Sequence, residues 1–324
     1  MKRMLVLRAL GLGDFLTAMP ALRALAEAFP RHRRMLAMPD ALAPLARVSG
    51  VVHEVIDAAP LAPLPPVAHG ADMAVNMHGR GPESHRVLVQ TRPARLIAFH
   101  HPDIAATAHA PRWRADEHEV HRWCRLLVEH GVPADPDRLD LVARGGAPLA
   151  APSAAPGATL LHPGAASVAR RWPAERWAAI ARAEAAAGRR VIITAGADED
   201  ALAYSIARAA HLDADAVHAG TEIVRLAALV HAAARVVCGD TGVAHLATAL
   251  RTPSVVLFGP SSPAHWGPPA DRAWHRALWK GRIGDPHADT LDPGLAAISV
   301  DDVLDALETL AAAPKPADAV RTTA

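Results

Sequence analysis

A short polar segment, G-D-T-G at Gly239 to Gly242, follows an apolar run that is typical of a buried parallel strand. Apolar residues then recur at helical spacing, and Thr241 is a favourable N-cap for that helix. The first N–H groups of a helix have no intrahelical partner, and they lie at the positive end of the helix dipole. We therefore expect this turn to bind an anion, and a diphosphate suits its geometry.

A second polar turn, G-L-G-D at Gly11 to Asp14, follows the apolar run Met4 to Leu7. A carboxylate at the mouth of such a strand-to-helix turn can take a proton from a bound hydroxyl group. The same carboxylate can instead cap the helix that follows it. The residues of the turn leave both roles open for Asp14.

Strand and helix patterns alternate along the whole chain, which predicts parallel, doubly wound sheets that bind ligands beyond the carboxyl ends of their strands. The pattern restarts after a segment rich in Ala, Pro and Gly at Gly145 to Gly157, which is typical of a linker. We therefore predict an α/β protein whose two Rossmann-like domains face a central cleft. The predicted parts are an N-terminal domain at 1–145, a linker at 146–157, a C-terminal domain at 158–312 and a disordered tail at 313–324.

Two prolines bear on the predicted helices. The apolar pattern predicts one helix from Phe15 to Phe29, in which Pro20 either kinks the helix or marks its true first turn. A second helix is predicted from Pro173 to Ala187, with Pro173 in its first turn and Gly188 at its end.

Composition excludes several classes of protein. A formal net charge of +1 over 324 residues gives no reason to expect a nucleic-acid partner. The two cysteines are far apart and match no metal or redox spacing. The start of the chain superficially resembles a signal peptide, but Arg8 and Asp14 interrupt its apolar stretch. No uncharged run approaches the roughly 18 residues that span a bilayer. We predict a cytoplasmic protein without a transmembrane segment, which contacts the inner face of the cell membrane peripherally, through its partner molecules.

Three blocks of the sequence stand out along the chain. They are L-V-L-R-A-L-G-L-G-D-F-L-T-A-M-P-A-L-R-A-L at Leu5 to Leu25, L-L-H-P-G-A-A-S-V-A-R-R-W-P-A-E-R-W at Leu160 to Trp177, and G-D-T-G-V-A-H-L-A-T-A-L-R-T-P at Gly239 to Pro253 with F-G-P at Phe258 to Pro260. Together they resemble glycosyltransferase family 9, the ADP-heptose:lipopolysaccharide heptosyltransferases and their relatives, and they fall in the expected order and at the expected separations. The C-terminal D-P-G-L-A-A-I-S-V-D-D-V-L at Asp292 to Leu304 is similar as well.

The resemblance implies the two-domain GT-B fold and an inverting glycosyltransferase that needs no metal ion and no cofactor. Its donor would be an ADP-sugar, with ADP-heptose expected. Its acceptor would be a hydroxyl group of a glycan or glycolipid such as the lipopolysaccharide core. Asp14 would be the general base in the acceptor domain, and the C-terminal domain would hold the donor.

The resemblance also implies a set of donor-binding residues, all in the C-terminal domain. The diphosphate would contact Ser167, Arg170, Thr241 and Gly242; a sugar hydroxyl would contact Asp240; the sugar or phosphate would contact His245; the ribose would face Asp200; and the adenine would lie near Thr221. For several of these an ordinary role stays open: a solvated Arg170-Arg171 pair, a packed or surface His245, and a helix-start carboxylate for Asp200.

The chain departs from the family at two places. Ala9-Leu10-Gly11-Leu12 stands where many members carry Ser ahead of Gly-Asp, and Arg170 stands where many carry Lys. Arg and Lys bind phosphate with different geometry, so the second change alters how the donor would be held.

Two other functions fit the sequence less well. An NAD-dependent oxidoreductase would use Gly11 and Gly13 with Asp40 on the ribose, but Leu16 replaces the third small residue and Asp14 would repel a pyrophosphate. A nucleotide-sugar-binding protein without turnover would have no catalytic role for Asp14.

Two segments superficially resemble metal-binding motifs. The D-x-D at Asp213 to Asp215 is interpreted as a solvated turn. His118-Glu119-Val120-His121 lacks the spacing of a zinc site.

Overall fold

The computed structural model describes residues 1–142, 149 and 156–312. The chain folds into two compact units, Met1–Ala147 and Pro148–Ala324. Most of the linker predicted at 146–157 and the whole tail predicted at 313–324 lie outside the described residues.

The N-terminal unit is built on a five-stranded sheet whose paired strands are all parallel, in the order β3-β2-β1-β4-β5. Its central strand β1 turns from charged to wholly buried residues along its length, which places its carboxyl end in the core. The strands are β1 (Lys2–Leu7), β2 (His32–Met38), β3 (Glu54–Asp57), β4 (Met73–Asn76) and β5 (Leu96–Ile97), and the α-helices are α1 (Leu12–Thr17), α2 (Met19–Ala28), α3 (Ala43–Val48), α4 (Glu83–Gln90) and α5 (Glu119–Glu129).

The single helix predicted from Phe15 to Phe29 is wrong. The structure has two helices, α1 and α2, which meet at Ala18, and Pro20 lies in the first turn of α2. Proline has no N–H group, so it is tolerated where a helix has no acceptor for one. Because α1 starts at Leu12, Asp14 lies in the first helical turn after β1.

The C-terminal unit is built on a six-stranded sheet, again with parallel pairs, in the order β11-β10-β9-β6-β7-β8. The edge strand β11 was not predicted, because its residues alternate only weakly between buried and exposed. The strands are β6 (Thr159–His162), β7 (Val191–Ala195), β8 (Val217–Ala219), β9 (Arg235–Gly239), β10 (Ser254–Leu257) and β11 (His275–Leu278), and the α-helices are α6 (Ala174–Ala186), α7 (Asp200–Ala209), α8 (Ile223–Ala232), α9 (Gly242–Ala249), α10 (Pro263–Trp266), α11 (Pro293–Ala296) and α12 (Val300–Ala312).

Two tryptophans of the second sequence block belong to the core of this unit. Trp172 and Trp177 are 3% and 1% exposed, and their rings meet edge to face at 5.3 Å. Trp172 also donates its indole N–H to the carbonyl of Ile298 at 3.0 Å, which ties the loop after β6 to the segment before α12. Both tryptophans are therefore packing residues of the core. Pro173 lies one residue before α6, as its N-cap.

Each sheet reverses its direction of growth once. In the N-terminal unit the chain runs outward from β1 to β3 and then returns to place β4 on the other side of β1. In the C-terminal unit the reversal lies between β6 and β9. At each reversal, the loops that follow the two adjacent strands run to opposite sides of the sheet. A crevice therefore opens at the carboxyl ends of these strands, which is where open α/β sheets bind ligands. None of the helices in the described part of the chain is long and apolar enough to cross a membrane.

Candidate active site

Asp14 lies at the carboxyl end of β1, where the N-terminal sheet reverses. It is the third residue of α1, and Gly11 is the N-cap. Its carboxylate accepts a hydrogen bond from the backbone N–H of Gly11, so it does support the start of the helix. The side chain is nevertheless 28% exposed. Asp14 therefore combines a structural contact with access for a substrate.

Arg8 holds the Asp14 carboxylate from inside the protein. Its side chain is 1% exposed, and Nη2 lies 3.2 Å from Asp14 Oδ1. Arg8 Nε also donates to the Asp14 backbone carbonyl at 2.9 Å, and Nη1 donates to the carbonyl of Met77 after β4. The guanidinium thus spans the two sides of the crevice and fixes the turn that carries Asp14.

A second carboxylate, Glu119 at the start of α5, faces the same arginine. Glu119 Oε1 lies 2.9 Å from Arg8 Nη2 and accepts from the indole N–H of Trp123 at 2.8 Å. Its other oxygen pairs with Arg122. The Arg8 guanidinium also lies over the Trp123 ring, 4.8 Å from its centroid. Sequence reasoning missed Glu119, because 111 residues separate it from Arg8.

The surroundings shift the titration of these groups in opposite directions. Burial raises the pKa of Asp14; Arg8 opposes this rise and Glu119 adds to it. Burial also acts to raise the pKa of Glu119, but Arg8 and Arg122 hold it below its ordinary value. Burial and Arg8 lower the pKa of His78, after β4, to about 4. Near neutral pH the site therefore has an ionised Glu119, a neutral His78, and an Asp14 that accepts a proton more readily than an ordinary aspartate.

In the C-terminal unit, Arg170 and Thr241 come from the two loops that flank the reversal between β6 and β9. Arg170 Nη1 donates to the Asp240 carbonyl at 3.2 Å, which joins the loops. Its Nε is buried and has no hydrogen-bond partner among the described residues. Thr241 is the N-cap of α9, and its buried Oγ1 is likewise without a partner in the described part of the chain. Buried polar groups are nearly always hydrogen-bonded, so both atoms point to a ligand with acceptor oxygens.

Asp240 lies beside these two residues and is 8% exposed. Burial raises the pKa of its carboxyl group, and Arg170 and a hydrogen bond with Ser261 partly oppose that rise. Gly242 begins α9, as predicted, with Thr241 before it. One turn further, half-buried His245 meets the ring of Trp266 on α10 at 6.0 Å, edge to face.

The hydroxyl groups of two further predicted residues are already used within the protein. Ser167 Oγ donates to the carbonyl of Pro286, and Thr221 Oγ1 donates to the carbonyl of His218 at 3.1 Å. A hydroxyl has one proton to donate, so in this structure neither can also donate to a phosphate oxygen. Both residues do lie where the prediction expects them, in loops that follow β6 and β8.

Glu199, rather than the predicted Asp200, points toward the carboxyl ends of the strands. Asp200 is exposed at the first position of α7. Glu199 Oε2 accepts from the backbone N–H of Gly196, after β7, at 2.9 Å. The same carboxylate lies over Gly164, after β6, so closely that a Cβ atom there would be 1.8 Å from Oε2. Burial lowers the pKa of half-buried His162, and the charge of Glu199 partly opposes that fall.

The other sequence signals give no metal site in the described part of the chain. No group of three or more His, Cys, Asp or Glu side chains is close enough to hold a metal ion there. Asp213 and Asp215 are exposed around a short turn before β8, which agrees with their interpretation as a solvated turn.

Comparison with known proteins identifies the family. The sequence model for glycosyltransferase family 9 (heptosyltransferase) matches residues 104–282. No curated protein matches the sequence significantly. Among solved structures, the glycosyltransferase family 9 protein from Veillonella parvula has a TM-score of 0.72 at 19% identity, covering 95% of this chain and 97% of that one.

Two E. coli enzymes are similar to the same extent. ADP-heptose lps heptosyltransferase II has a TM-score of 0.74 at 20% identity, covering 96% of this chain and 98% of that one. Heptosyltransferase WaaC with ADP-2-deoxy-2-fluoro heptose has a TM-score of 0.71 at 17% identity, covering 94% and 99%. The predicted α/β GT-B fold is confirmed by these superpositions and by the two parallel sheets. The match over more than half of the chain shows that this protein is a glycosyltransferase and belongs to glycosyltransferase family 9.

Proposed function

We propose that the protein transfers heptose from ADP-heptose to a hydroxyl group of a cell-envelope glycan, such as the lipopolysaccharide core, with inversion at the anomeric carbon and without a metal ion. One observation supports the proposal: two buried donors, Arg170 Nε and Thr241 Oγ1, have no hydrogen-bond partner among the described residues, and Thr241 is the N-cap of α9. A donor diphosphate would supply the missing acceptor oxygens and would be stabilised by the helix dipole.

The donor is expected to lie along the carboxyl ends of the C-terminal sheet, in the domain 158–312. Arg170, Thr241 and Gly242 would hold the diphosphate, and Asp240 and His245 would face the sugar. Glu199, whose carboxylate closes over Gly164 and Gly196, suits the two ribose hydroxyl groups better than exposed Asp200. Adenine would then extend toward the loop after β8, which contains Thr221. Similar enzymes are described with ADP-heptose or its fluoro analogue, which supports ADP-heptose as the donor.

The acceptor would bind the domain 1–145 beside Asp14. Its hydroxyl oxygen attacks the anomeric carbon while the bond from that carbon to the β-phosphate oxygen breaks, and its proton passes to the Asp14 carboxylate. The electron pair of the broken bond leaves on ADP, where the Arg170 guanidinium and the N–H groups of α9 stabilise it. A single displacement of this kind inverts the anomeric centre. A glycolipid acceptor would bring a cytoplasmic enzyme to the inner face of the membrane.

Two measurements on Asp14→Asn test the proposal. The first is turnover of ADP-heptose with a lipopolysaccharide-core acceptor, and the second is calorimetric titration with ADP in the presence of a chelator. We expect the variant to lose turnover by about a hundredfold or more, because it has no base for the acceptor proton. ADP affinity should stay within about twofold of the wild type, because Asp14 is not part of the donor site.

The same calorimetry on the wild-type protein checks the donor. ADP should bind in preference to UDP, GDP and NAD, and the chelator should not weaken it. Near-normal turnover by Asp14→Asn would remove the general-base role. Selective binding of UDP or GDP would keep the transferase and change the donor, and loss of ADP binding in chelator would contradict a metal-independent site.

A further inference from the structure

The cluster around Arg8 contains one carboxylate that the proposed reaction does not use. Arg8 Nη2 lies 3.2 Å from Asp14 Oδ1 and 2.9 Å from Glu119 Oε1, so a single N–H-bearing nitrogen is shared by two acidic side chains. Asp14 is 28% exposed, whereas Glu119 is 6% exposed. The arginine is therefore a bridge between an accessible carboxylate and an inaccessible one.

This arrangement has a consequence for the basicity of Asp14. A buried arginine beside a single carboxylate stabilises its charged form and makes it a weaker base. Here Glu119 supplies a second negative charge to the same guanidinium, and that charge also repels the charge on Asp14. Both effects favour a proton on Asp14. Glu119 thus partly restores the proton affinity that Asp14 loses through its ion pair with Arg8.

The position of Glu119 is itself fixed by three contacts, two from α5 and one from Arg8. Trp123 donates its indole N–H to Oε1 at 2.8 Å, and Arg122 pairs with Oε2. Arg122 also donates to the carbonyl of Glu117 at 2.8 Å, so the helix start is held as a unit. The third contact is the ion pair with Arg8. A carboxylate so constrained, and so little exposed, cannot meet a substrate directly.

We infer that Glu119 is a positioning residue for glycosyl transfer, which acts through Arg8 to keep Asp14 basic enough to accept the proton of the acceptor. The inference rests on the proposed role of Asp14 as general base. The charged and titratable groups that face the Arg8–Asp14 pair are Glu119 and Arg122 from α5 and His78 from the segment after β4. Burial and Arg8 lower the pKa of His78 to about 4, so its imidazole is neutral on the plateau of the pH profile.

The test substitutes Glu119→Gln, which keeps the size and the oxygen acceptor but removes the charge. Arg8 would then be paired with Asp14 alone. We expect the acidic limb of the kcat profile to move down by about one pH unit. The plateau should fall about threefold to tenfold, because a weaker base takes the proton less readily. KM for the donor should not change.

A direct titration separates this inference from the proposed function. In protein labelled with 13C at the aspartate carboxyl carbon, the Asp14 resonance is the one that Asp14→Asn removes. Its midpoint should lie about one pH unit lower in Glu119→Gln than in the wild type. If this shift occurs but no ADP-sugar is turned over by either protein, the bridge is correct and the proposed function is wrong. If turnover is normal in the wild type and neither the midpoint nor the pH profile moves in the variant, the inference is wrong.

Glu184→Gln is the matched control. Glu184 is also a buried carboxylate between two arginines, Arg189 and Arg235, but it lies in the C-terminal unit. The Glu184→Gln variant should be less stable than the wild type, but its Asp14 midpoint and its kcat profile should be unchanged. If Glu119→Gln does not fold, Glu119→Asp carries the test. The shorter side chain keeps its charge but lies farther from Arg8. The Asp14 midpoint and the acidic limb of the kcat profile should therefore both move down, by less than in Glu119→Gln. If neither moves, the inference is wrong.

Discussion

At the scale of single residues, the proposed donor site contains buried polar atoms that have no hydrogen-bond partner among the described residues. A buried donor without an acceptor destabilises a protein by about 1–3 kcal/mol. Arg170 Nε and Thr241 Oγ1 both have this status in the described part of the chain, and they belong to loops that Arg170 itself joins through the Asp240 carbonyl. Such a cost is expected where a ligand completes the hydrogen bonds.

Arg170→Ala should therefore weaken binding of ADP far more than binding of adenosine. A hydrogen bond to a charged group contributes about 1.5–3 kcal/mol, which corresponds to roughly a 10- to 150-fold loss of ADP affinity. Adenosine has no phosphate, so its affinity should be nearly unchanged. Calorimetry with both ligands measures the difference, and Arg182→Ala, on α6, is a control arginine that contacts only the Ala209 carbonyl among the contacts described. Equal losses for ADP and adenosine would contradict a phosphate contact.

The residue types of the site were predictable to different degrees. Asp14 and the Gly239–Gly242 turn stand directly after apolar strands, where local pattern alone marks a ligand site. Arg8 had a signal of the same kind, a charge at the end of an apolar strand, but it was used only to argue against a signal peptide. Glu119 had none, because its partner is 111 residues away and only the fold brings the two together.

At the scale of elements, the spacing of apolar residues predicts both parallel sheets and most of the helices. The predictions that were wrong concern segments in which this local signal is weak. Pro20 was correctly seen as a first-turn residue or a kink, but the break at Ala18 has no sequence mark of its own. Strand β11 is an edge strand with one buried residue in four, too little for a pattern of period two. Asp200 was predicted from the resemblance to the family, and only the structure shows that the neighbouring Glu199 is the side chain that contacts Gly196.

The loops after β6 and β7 provide a prediction at this scale, because the Glu199 carboxylate rests on glycines from both. Glu199→Gln should weaken ADP binding about tenfold, while binding of inorganic pyrophosphate, which has no ribose, should be unaffected. Gly164→Ala should have the same effect, because its Cβ would stand 1.8 Å from Oε2 and only the end of a flexible side chain has to move. Its melting temperature should stay close to that of the wild type.

Exposed Asp200 supplies the matched control for this pair of variants. Asp200→Ala should leave both affinities unchanged, since its side chain is exposed at the start of α7. If Asp200→Ala weakened ADP while Glu199→Gln did not, the prediction made from sequence would be restored. If Gly164→Ala bound ADP normally, the carboxylate over Gly164 would have no part in ribose binding.

At the scale of the whole molecule, each unit contains one buried carboxylate held by two arginines. In the N-terminal unit Glu119 is held by Arg8 and Arg122, and in the C-terminal unit Glu184 is held by Arg189 and Arg235. Their places differ in kind. Glu119 lies near the carboxyl end of β1, beside the candidate site. Glu184 instead accepts a hydrogen bond from Thr159 at the amino end of β6. Arg235 also donates to the Leu307 carbonyl of α12. We therefore propose that the same arrangement supports catalysis in the N-terminal unit, whereas it supports packing in the C-terminal unit.

The Glu184 network should make stability depend on acid pH. Burial acts to raise the pKa of Glu184, but its bonds with Arg189, Thr159 and Arg235 hold it below the ordinary value of 4.5. A carboxyl group with a lowered pKa stabilises the folded state above its unfolded pKa, and this contribution is lost as the pH falls through the folded pKa. Glu184→Gln removes the charge at every pH and leaves Arg235 buried without its partner, which costs about 3–5 kcal/mol near neutral pH. Urea unfolding of both proteins from pH 7 to pH 3 should show free energies of unfolding that are well separated above pH 5 and approach each other as the pH falls below 4.5 toward the folded pKa. A constant difference through that range would mean that the network does not lower the pKa of Glu184.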